Sequence, residues 1–571
     1  MYWCFLKQYP HRLIVFSLSL LNHSYAVQDY SGQVDVAGAE SVRPVVEAIK
    51  GEKANKLSAQ LYVYVKEYQF YGNTVFSDDE LAEITLPYCN REIYTEELIE
   101  LKDKITSHYV NNGFINSGAI LPDQDIKGEI IVFQIQEGFV EKTQLLKRDR
   151  FSPCYILNRI ENGICPPLNI FELQKTLKIL EQDPNIDSIQ ANLEPGTELG
   201  SGILSIEIQE TEPWKYGFEI NNHSPASVGL YRAELYAEAS NLTGMGESLS
   251  ANVGWRFGDD VDFRADESIF YSFYGSIPVT RWDTTLSAGF SKNASIIIDE
   301  AFRDLDIQNK TYNYSLEIRH PIFRTPNQEF GLATRLAHTE TSTTLSNIEL
   351  PSGSGQPTDR VTALSFVQDW VHRSQREVFA LYSSINFGIN LLDATMDEVG
   401  NNPDASFVTW LLQGQYLRQL ETWDSQILLK GTLRLSDSAV LPVEKFTIGG
   451  VYSVRGYREN TLTRDYGALA NIEYRIPVFE LKIPHISKER GDGQLQLVAF
   501  YDYGWGEDID DSDGFDSINY LHSVGTGFLW RINQSGFAEL YWGHPLKPID
   551  YDAKHDLQEA GIHFRINLGV F

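Results

Sequence analysis

Apolar residues recur at helical and strand spacings in a fixed order along the first part of the chain, and after Pro213 the helical spacing disappears. Leu61 to Phe70 is rich in β-formers, Gly72-Asn73 marks a turn, and Ser77 with Glu80 reads as a capping box that opens a helix. A second helix begins after Thr95, sets Leu98, Leu101, Ile105 and Tyr109 on one face, and stops at Gly113. Two strands follow, the second with Ile131, Phe133 and Ile135 on one face. The same order returns from Val140 to Glu210. It gives a strand, a short helix near Tyr155, a helix bearing Ile170, Leu173, Leu177 and Leu180, and two strands joined by Pro195-Gly196. Each β-α-α-β-β unit spans about 75 residues, enough for one small core.

Beyond Pro213 the period is two. Trp214, Tyr216, Phe218 and Ile220 alternate with Lys215, Gly217 and Glu219. Leu249, Ala251, Val253, Trp255 and Phe257 are set against Ser250, Asn252, Gly254 and Arg256. At the end, Ile562, Phe564, Ile566, Leu568 and Val570 share one face, while His563, Arg565, Asn567 and Gly569 share the other. Alternation alone fits a soluble sandwich as well as a barrel with a lipid-facing apolar side and a polar lumen. Scale separates the two. Trp214 to Phe571 is 358 residues of strand pattern in one block. At roughly 20–24 residues per strand with its connection, that predicts about 16 antiparallel strands. The expected fold is a transmembrane β-barrel over 213–571, preceded by two α/β domains at 61–138 and 139–212.

The remaining segments narrow the compartment. Lys7 and Arg12 precede the apolar run Leu13 to Leu21, and Ser24-Tyr25-Ala26 offers a cleavage site, so 1–26 reads as a signal peptide. That run falls well short of the roughly 20 residues a membrane helix needs, and no later stretch reaches that length. Residues 27–60 form a polar leader in which Val42, Val45, Val46 and Ile49 share a helical face that Ser41 would cap.

Without the signal peptide, 45 basic residues face 78 acidic ones, a net charge of −33 that argues against nucleic acid and anionic headgroups as partners. Aromatics make up 12% of the chain, mostly Tyr and Phe, a composition suited to strands with interfacial girdles. Cys89, Cys154 and Cys165 remain after cleavage, and the last two bracket a short turn-rich segment compatible with a disulfide staple in an oxidising periplasm.

The chain has no HExxH, phosphate loop, GxSxG or His/Cys metal cluster, so neither catalysis nor a cofactor is expected. The acidic run Glu507 to Asp516 has Ile509 where the first ligand of a calcium loop belongs and Tyr520 where the closing glutamate belongs. It reads as an external loop.

The informative stretch is Phe446 to Pro477, with Gly449-Gly450, Val454-Arg455-Gly456-Tyr457, Asp465-Tyr466-Gly467, Glu473 and Arg475-Ile476-Pro477 in order. It resembles the sixth external loop and adjoining strand of two-partner secretion transporters, the haemolysin and haemagglutinin secretion/activation proteins. The two small units are similar to that family's paired polypeptide-transport-associated (POTRA) domains. Phe500-Tyr501-Asp502-Tyr503-Gly504 resembles a strand motif of the wider superfamily of barrel-assembly and secretion proteins. Independently of the family, alternation puts Val498, Phe500, Asp502 and Gly504 on one face of that strand and an apolar, aromatic set on the other. Asp502 should therefore point into the lumen, where a guanidinium from a folded-back loop would seek it.

The resemblance implies that Arg455 contacts Asp502 and locks the loop in the barrel, with Val454, Gly456, Tyr457, Phe500 and Gly504 around them. It also implies an outer-membrane pore with periplasmic POTRA domains that exports a large partner exoprotein bearing an amino-terminal secretion domain. The segment 42–49 would correspond to a plug helix, and the aromatic end at Phe571 to the signal read by the barrel-assembly machinery. A general assembly factor for other barrels is the alternative, although more POTRA domains would be expected of it. A closed barrel needs no partner edge, which predicts a monomer in the lipid of the outer membrane.

Overall fold

The computed structural model describes residues 56–258, 268–298, 305–346, 348–351, 354–397, 402–489, 491–509, 518–551 and 556–570. The signal peptide, the 42–49 helix, Asp510–Asp516 and Phe571 lie outside the described residues.

The first compact unit holds both α/β modules. In the first, β1 (Tyr62–Val65) and β2 (Glu67–Tyr71) lead to α1 (Asp78–Thr85), β3 (Arg91–Tyr94), α2 (Thr95–Asn111), β4 (Gly118–Ile120) and β5 (Ile130–Gln136). The Ser77 hydroxyl accepts from the Glu80 amide at 3.3 Å and the Glu80 carboxylate accepts from the Ser77 amide at 2.9 Å, which closes the capping box. Leu98, Leu101, Ile105 and Tyr109 of α2 are fully buried with Ile131 and Phe133 of the β2-β5-β4 sheet. The strand β3 departs from the expected order. Its four residues sit between two helical patterns and are too few to show a period. Antiparallel pairing with β1, Val63 opposite Ile93, makes them a strand.

The second module runs β6 (Phe139–Lys147), α3 (Pro153–Ile160), α4 (Ile170–Leu180), β7 (Ile186–Pro195) and β8 (Ser201–Glu210), with sheet order β6-β8-β7. The candidate disulfide is absent. Cys154 is exposed in the first turn of α3, and the Cys165 thiol instead points back to the Glu161 carbonyl at 3.7 Å. A polar seam joins the modules. The Asn116 amide donates to the Gly200 carbonyl at 2.9 Å, and the Ile170 amide donates to the Gly113 carbonyl at 2.8 Å.

The second unit is a closed antiparallel barrel of sixteen principal strands. The first five are β9 (Trp214–Asn221), β10 (Tyr231–Ser240), β11 (Ser248–Phe257), β12 (Ile269–Pro278) and β13 (Thr285–Ile296). Longer ones follow, β14 (Ile307–Arg324), β15 (Gln328–Leu345) and β16 (Thr358–Arg373), then β17 (Glu377–Gly388), β18 (Val408–Gln419) and β19 (Gln426–Ser436). The set ends with β20 (Tyr466–Glu480), β21 (Gln494–Glu507), β22 (Tyr520–Arg531), β23 (Phe537–Pro545) and β24 (Ile562–Val570). β24 pairs with β9, from Arg565 opposite Asn221 to Val570 opposite Tyr216, and so closes the cylinder. Along β21, Val498, Phe500, Asp502 and Gly504 are buried while Ala499, Tyr501 and Tyr503 are exposed, the alternation of a lumen and a lipid face.

Candidate functional site: a loop clamped to the inner wall

The loop between β19 and β20 begins as a hairpin, because Phe446–Ile448 pairs antiparallel with Leu462–Arg464. Its tip turns where only glycine is at ease. Gly450 has φ +100° and Gly456 φ +92°, and a Cβ on Gly456 would lie 2.9 Å from the Gly543 carbonyl of β23. Ile448, Val454 and Tyr457 bury themselves with Leu469 of β20 and Leu521 of β22. Gly504 leaves the room they need, since a Cβ there would meet Ile448 at 2.5 Å and Val454 at 2.8 Å.

This packing delivers Arg455 to the wall. Its Nε donates to Asp502 Oδ2 at 2.7 Å, Nη2 to Oδ1 at 2.8 Å, and its backbone amide to Oδ2 at 3.1 Å. The third guanidinium nitrogen, Nη1, donates to Glu473 Oε1 at 2.8 Å. Glu473 Oε2 in turn accepts from Arg475 Nη2 at 2.6 Å, and Asn471 donates to Asp502 Oδ1 at 2.8 Å. The Arg455 guanidinium stacks over Phe500, its carbon 3.6 Å from the ring centroid. Arg455, Glu473, Arg475 and Asp502 are 0–3% exposed, two cations against two anions.

Removing one member of such a buried network costs about 3–5 kcal/mol, because the others lose their charge compensation. Withdrawing the whole loop would rehydrate these charges but would also expose Ile448, Val454 and Tyr457. The arrangement is therefore selective for its members. The tip also reaches the last strands. The Gly456 amide donates to His563 Nε2 of β24 at 3.3 Å, the Tyr457 hydroxyl lies 3.0 Å from the His522 carbonyl, and Arg458 pairs with Asp556 at 2.7 Å.

Val454, Arg455, Gly456, Tyr457, Phe500, Asp502 and Gly504 thus meet in one place. Asn471, Glu473 and Arg475 were not assigned as partners from the sequence, although a signal was there. Alternation on β20 puts all three on one face, and Asn471 stands directly opposite Asp502. His563 gave no signal beyond its place on the polar face of β24.

The family model described as haemolysin secretion/activation protein ShlB/FhaC/HecB matches residues 200–528, and that of the ShlB-type POTRA domain matches 63–138. The heme/hemopexin transporter protein HuxB of Haemophilus influenzae is 23% identical over 495 residues, 84% of this chain and 82% of that protein. The outer membrane transporter CdiB of Dickeya dadantii is 23% identical over 73% of each chain. Among solved structures, CdiB from Escherichia coli superposes with a TM-score of 0.67 at 18% identity, covering 93% of each chain.

Proposed function

The chain belongs to the haemolysin secretion/activation protein family, and from that premise we propose how its inward loop serves export. It is an outer-membrane transporter with POTRA domains on the periplasmic side, and it passes a partner exoprotein to the cell surface. The client travels unfolded through the lumen, its amino-terminal secretion domain first received by the POTRA sheets, where β4 and β7 offer edges for an added strand. The periplasm holds no ATP, so folding of the client outside the cell supplies the direction. The loop clamped through Arg455 is the part of the wall that moves as the client passes and then resets.

What supports this reading is the Arg455 network, in which one loop side chain makes two contacts to Asp502 and one to Glu473 in a buried setting. The test is Arg455→Ala in cells that carry the client. The variant barrel should insert and keep its fast gel mobility when unheated, while the client disappears from the culture medium. Normal client in the medium would refute the proposal, and loss of the barrel itself would make the network a folding element instead.

A further inference from the structure

The lipid side of β12 to β16 changes character in step along each strand. The POTRA domains are periplasmic and precede β9, so odd-numbered strands run toward the cell surface and even-numbered ones run back. Toward the surface, the outward residues of β13 are Leu286, Ala288, Phe290 and Lys292. Directly opposite them on β14 stand Ile318, Leu316, Tyr314 and Tyr312, with Lys310 two residues further out. The progression continues into β15 as Leu336, His338 and Glu340, and into β16 as Leu364, Thr362 and Arg360. Each strand goes from aliphatic to ring or hydroxyl to charge.

The rings form a continuous row. Tyr271–Phe290, Phe290–Tyr314 and Tyr314–His338 have centroids 6.1, 5.1 and 6.3 Å apart, an aromatic girdle at the outer edge of the apolar band. Just beyond it, Lys292 Nζ sits between the Tyr271 and Tyr312 rings, at 5.8 and 6.0 Å. Lys310 is its diagonal neighbour on the same face, roughly 7–8 Å away by sheet geometry. Arg360 is paired with Glu340 at 3.2 Å, whereas neither lysine has a carboxylate partner among the described residues. Past the girdle the outward charges of these strands are Lys292, Lys310, Arg360 and Glu340, locally cationic in a chain whose formal charge is −31. Net charge argues against anionic headgroups, and this face reverses that locally.

We propose that Lys292 and Lys310 bind the phosphate of a phosphorylated glycolipid in the outer leaflet, an inference that rests on the outer-membrane location. Two ammonium groups at the water edge of the girdle recognise a compact anion. Leu316 and Ile318, each 51% exposed, lie toward the bilayer beneath them to receive the acyl chains. A soluble phosphate would gain the lysines without the apolar contact.

The full chain, purified from outer membranes in detergent, is titrated with fluorescent bisphosphorylated lipid A and with its dephosphorylated form. Lys292→Gln with Lys310→Gln should weaken the first by roughly thirtyfold, about fivefold per lysine, and leave the second unchanged. Lys292→Arg with Lys310→Arg should restore binding, and inorganic phosphate should not compete. Equal binding by the glutamine variant, or full competition by inorganic phosphate, overturns the proposal. Unheated gel mobility certifies that each variant barrel is closed, and Lys310→Gln alone gives the same reading should the double variant fail to insert.

Discussion

Two stretches of the barrel share one sequence pattern and put it to different uses. β14 contains Glu317-Ile318-Arg319-His320-Pro321-Ile322-Phe323, and β20 contains Glu473-Tyr474-Arg475-Ile476-Pro477-Val478-Phe479. Each turns its Glu and Arg into the lumen, and each slips register between the proline and the phenylalanine, where proline has no amide to give the ladder. The partners differ. In the first, Arg319 pairs with Glu329 at 2.8 Å and with Asp369, Arg324 with Glu329 at 3.2 Å, and Arg335 with Glu317 at 2.6 Å. Three cations and three anions, all on wall strands or at their ends, complete that set. In the second, Glu473 pairs with Arg475 on the wall, Lys430 of β19 stands near Glu473 and Asp502, and Arg455, paired with both carboxylates, comes from a loop. The same strand motif is closed within the wall in one place and tied to a loop in the other, the loop that the proposed export mechanism would move.

The sharpest break of that comparison removes the two arginines separately. Arg319→Ala leaves Asp369 and Glu329 short of a cation in a rigid wall and should lower barrel stability by about 3–5 kcal/mol, read as a drop in the urea midpoint of the refolded barrel. Arg455→Ala lets the loop go and water reach Asp502 and Glu473, so its midpoint should fall less than that of Arg319→Ala while export goes to background. If the two variants lose export and stability in the same proportion, the distinction between wall and clamp is wrong. Arg455→Lys keeps the charge but not the fork that reaches Asp502 and Glu473 together, so export should fall to an intermediate level.

A smaller effect comes from the glycines facing each set. A Cβ on Gly504 would press into Ile448 and Val454 of the docked loop, at 2.5 and 2.8 Å. Such overpacking costs typically about 1–3 kcal/mol. Gly504→Ala should therefore undock the loop part of the time, seen as larger fluctuations in single-channel conductance. On the other wall, a Cβ on Gly331 would meet the Arg319 guanidinium, a side chain of the wall itself and not of the docked loop. Gly331→Ala should leave the conductance record unchanged, and equal noise in both variants would remove the contrast.

How much of this was legible in the sequence follows from range. The barrel was readable because period-two alternation is local, and α2 because Leu98, Leu101, Ile105 and Tyr109 repeat along one helix. Arg455 and Asp502 were found as a pair because alternation fixed the direction of Asp502 and the loop motif resembled a known one. The sharing of Glu473 between Arg455 and Arg475 was not, since it depends on a register that brings β20 beside β21 and on how far the loop descends. The β1–β3 ribbon was missed for the same reason at smaller scale, as pairing rather than periodicity defines it. The disulfide expectation failed because spacing in the chain does not fix the direction of a thiol.

The mildest test extends the comparison outside the barrel, to a carboxylate held by hydrogen bonds without any cation. Glu141 of β6 accepts from the Ser201 hydroxyl at 2.7 Å, the Thr197 hydroxyl at 2.7 Å and the Thr197 amide at 2.8 Å. These donors, Ser201 foremost, favour the ionised form and pull its pKa down to about 2. A depressed carboxylate contributes stability that is complete above its ordinary pKa of about 4.5 and is lost as the pH falls through about 2. The turn from Gly196 to Ser201 should accordingly exchange its amide hydrogens more slowly than in Glu141→Gln at neutral pH, with the difference closing across that acid window. Equal exchange in the two proteins at neutral pH would mean that the Glu141 carboxylate adds nothing to the turn.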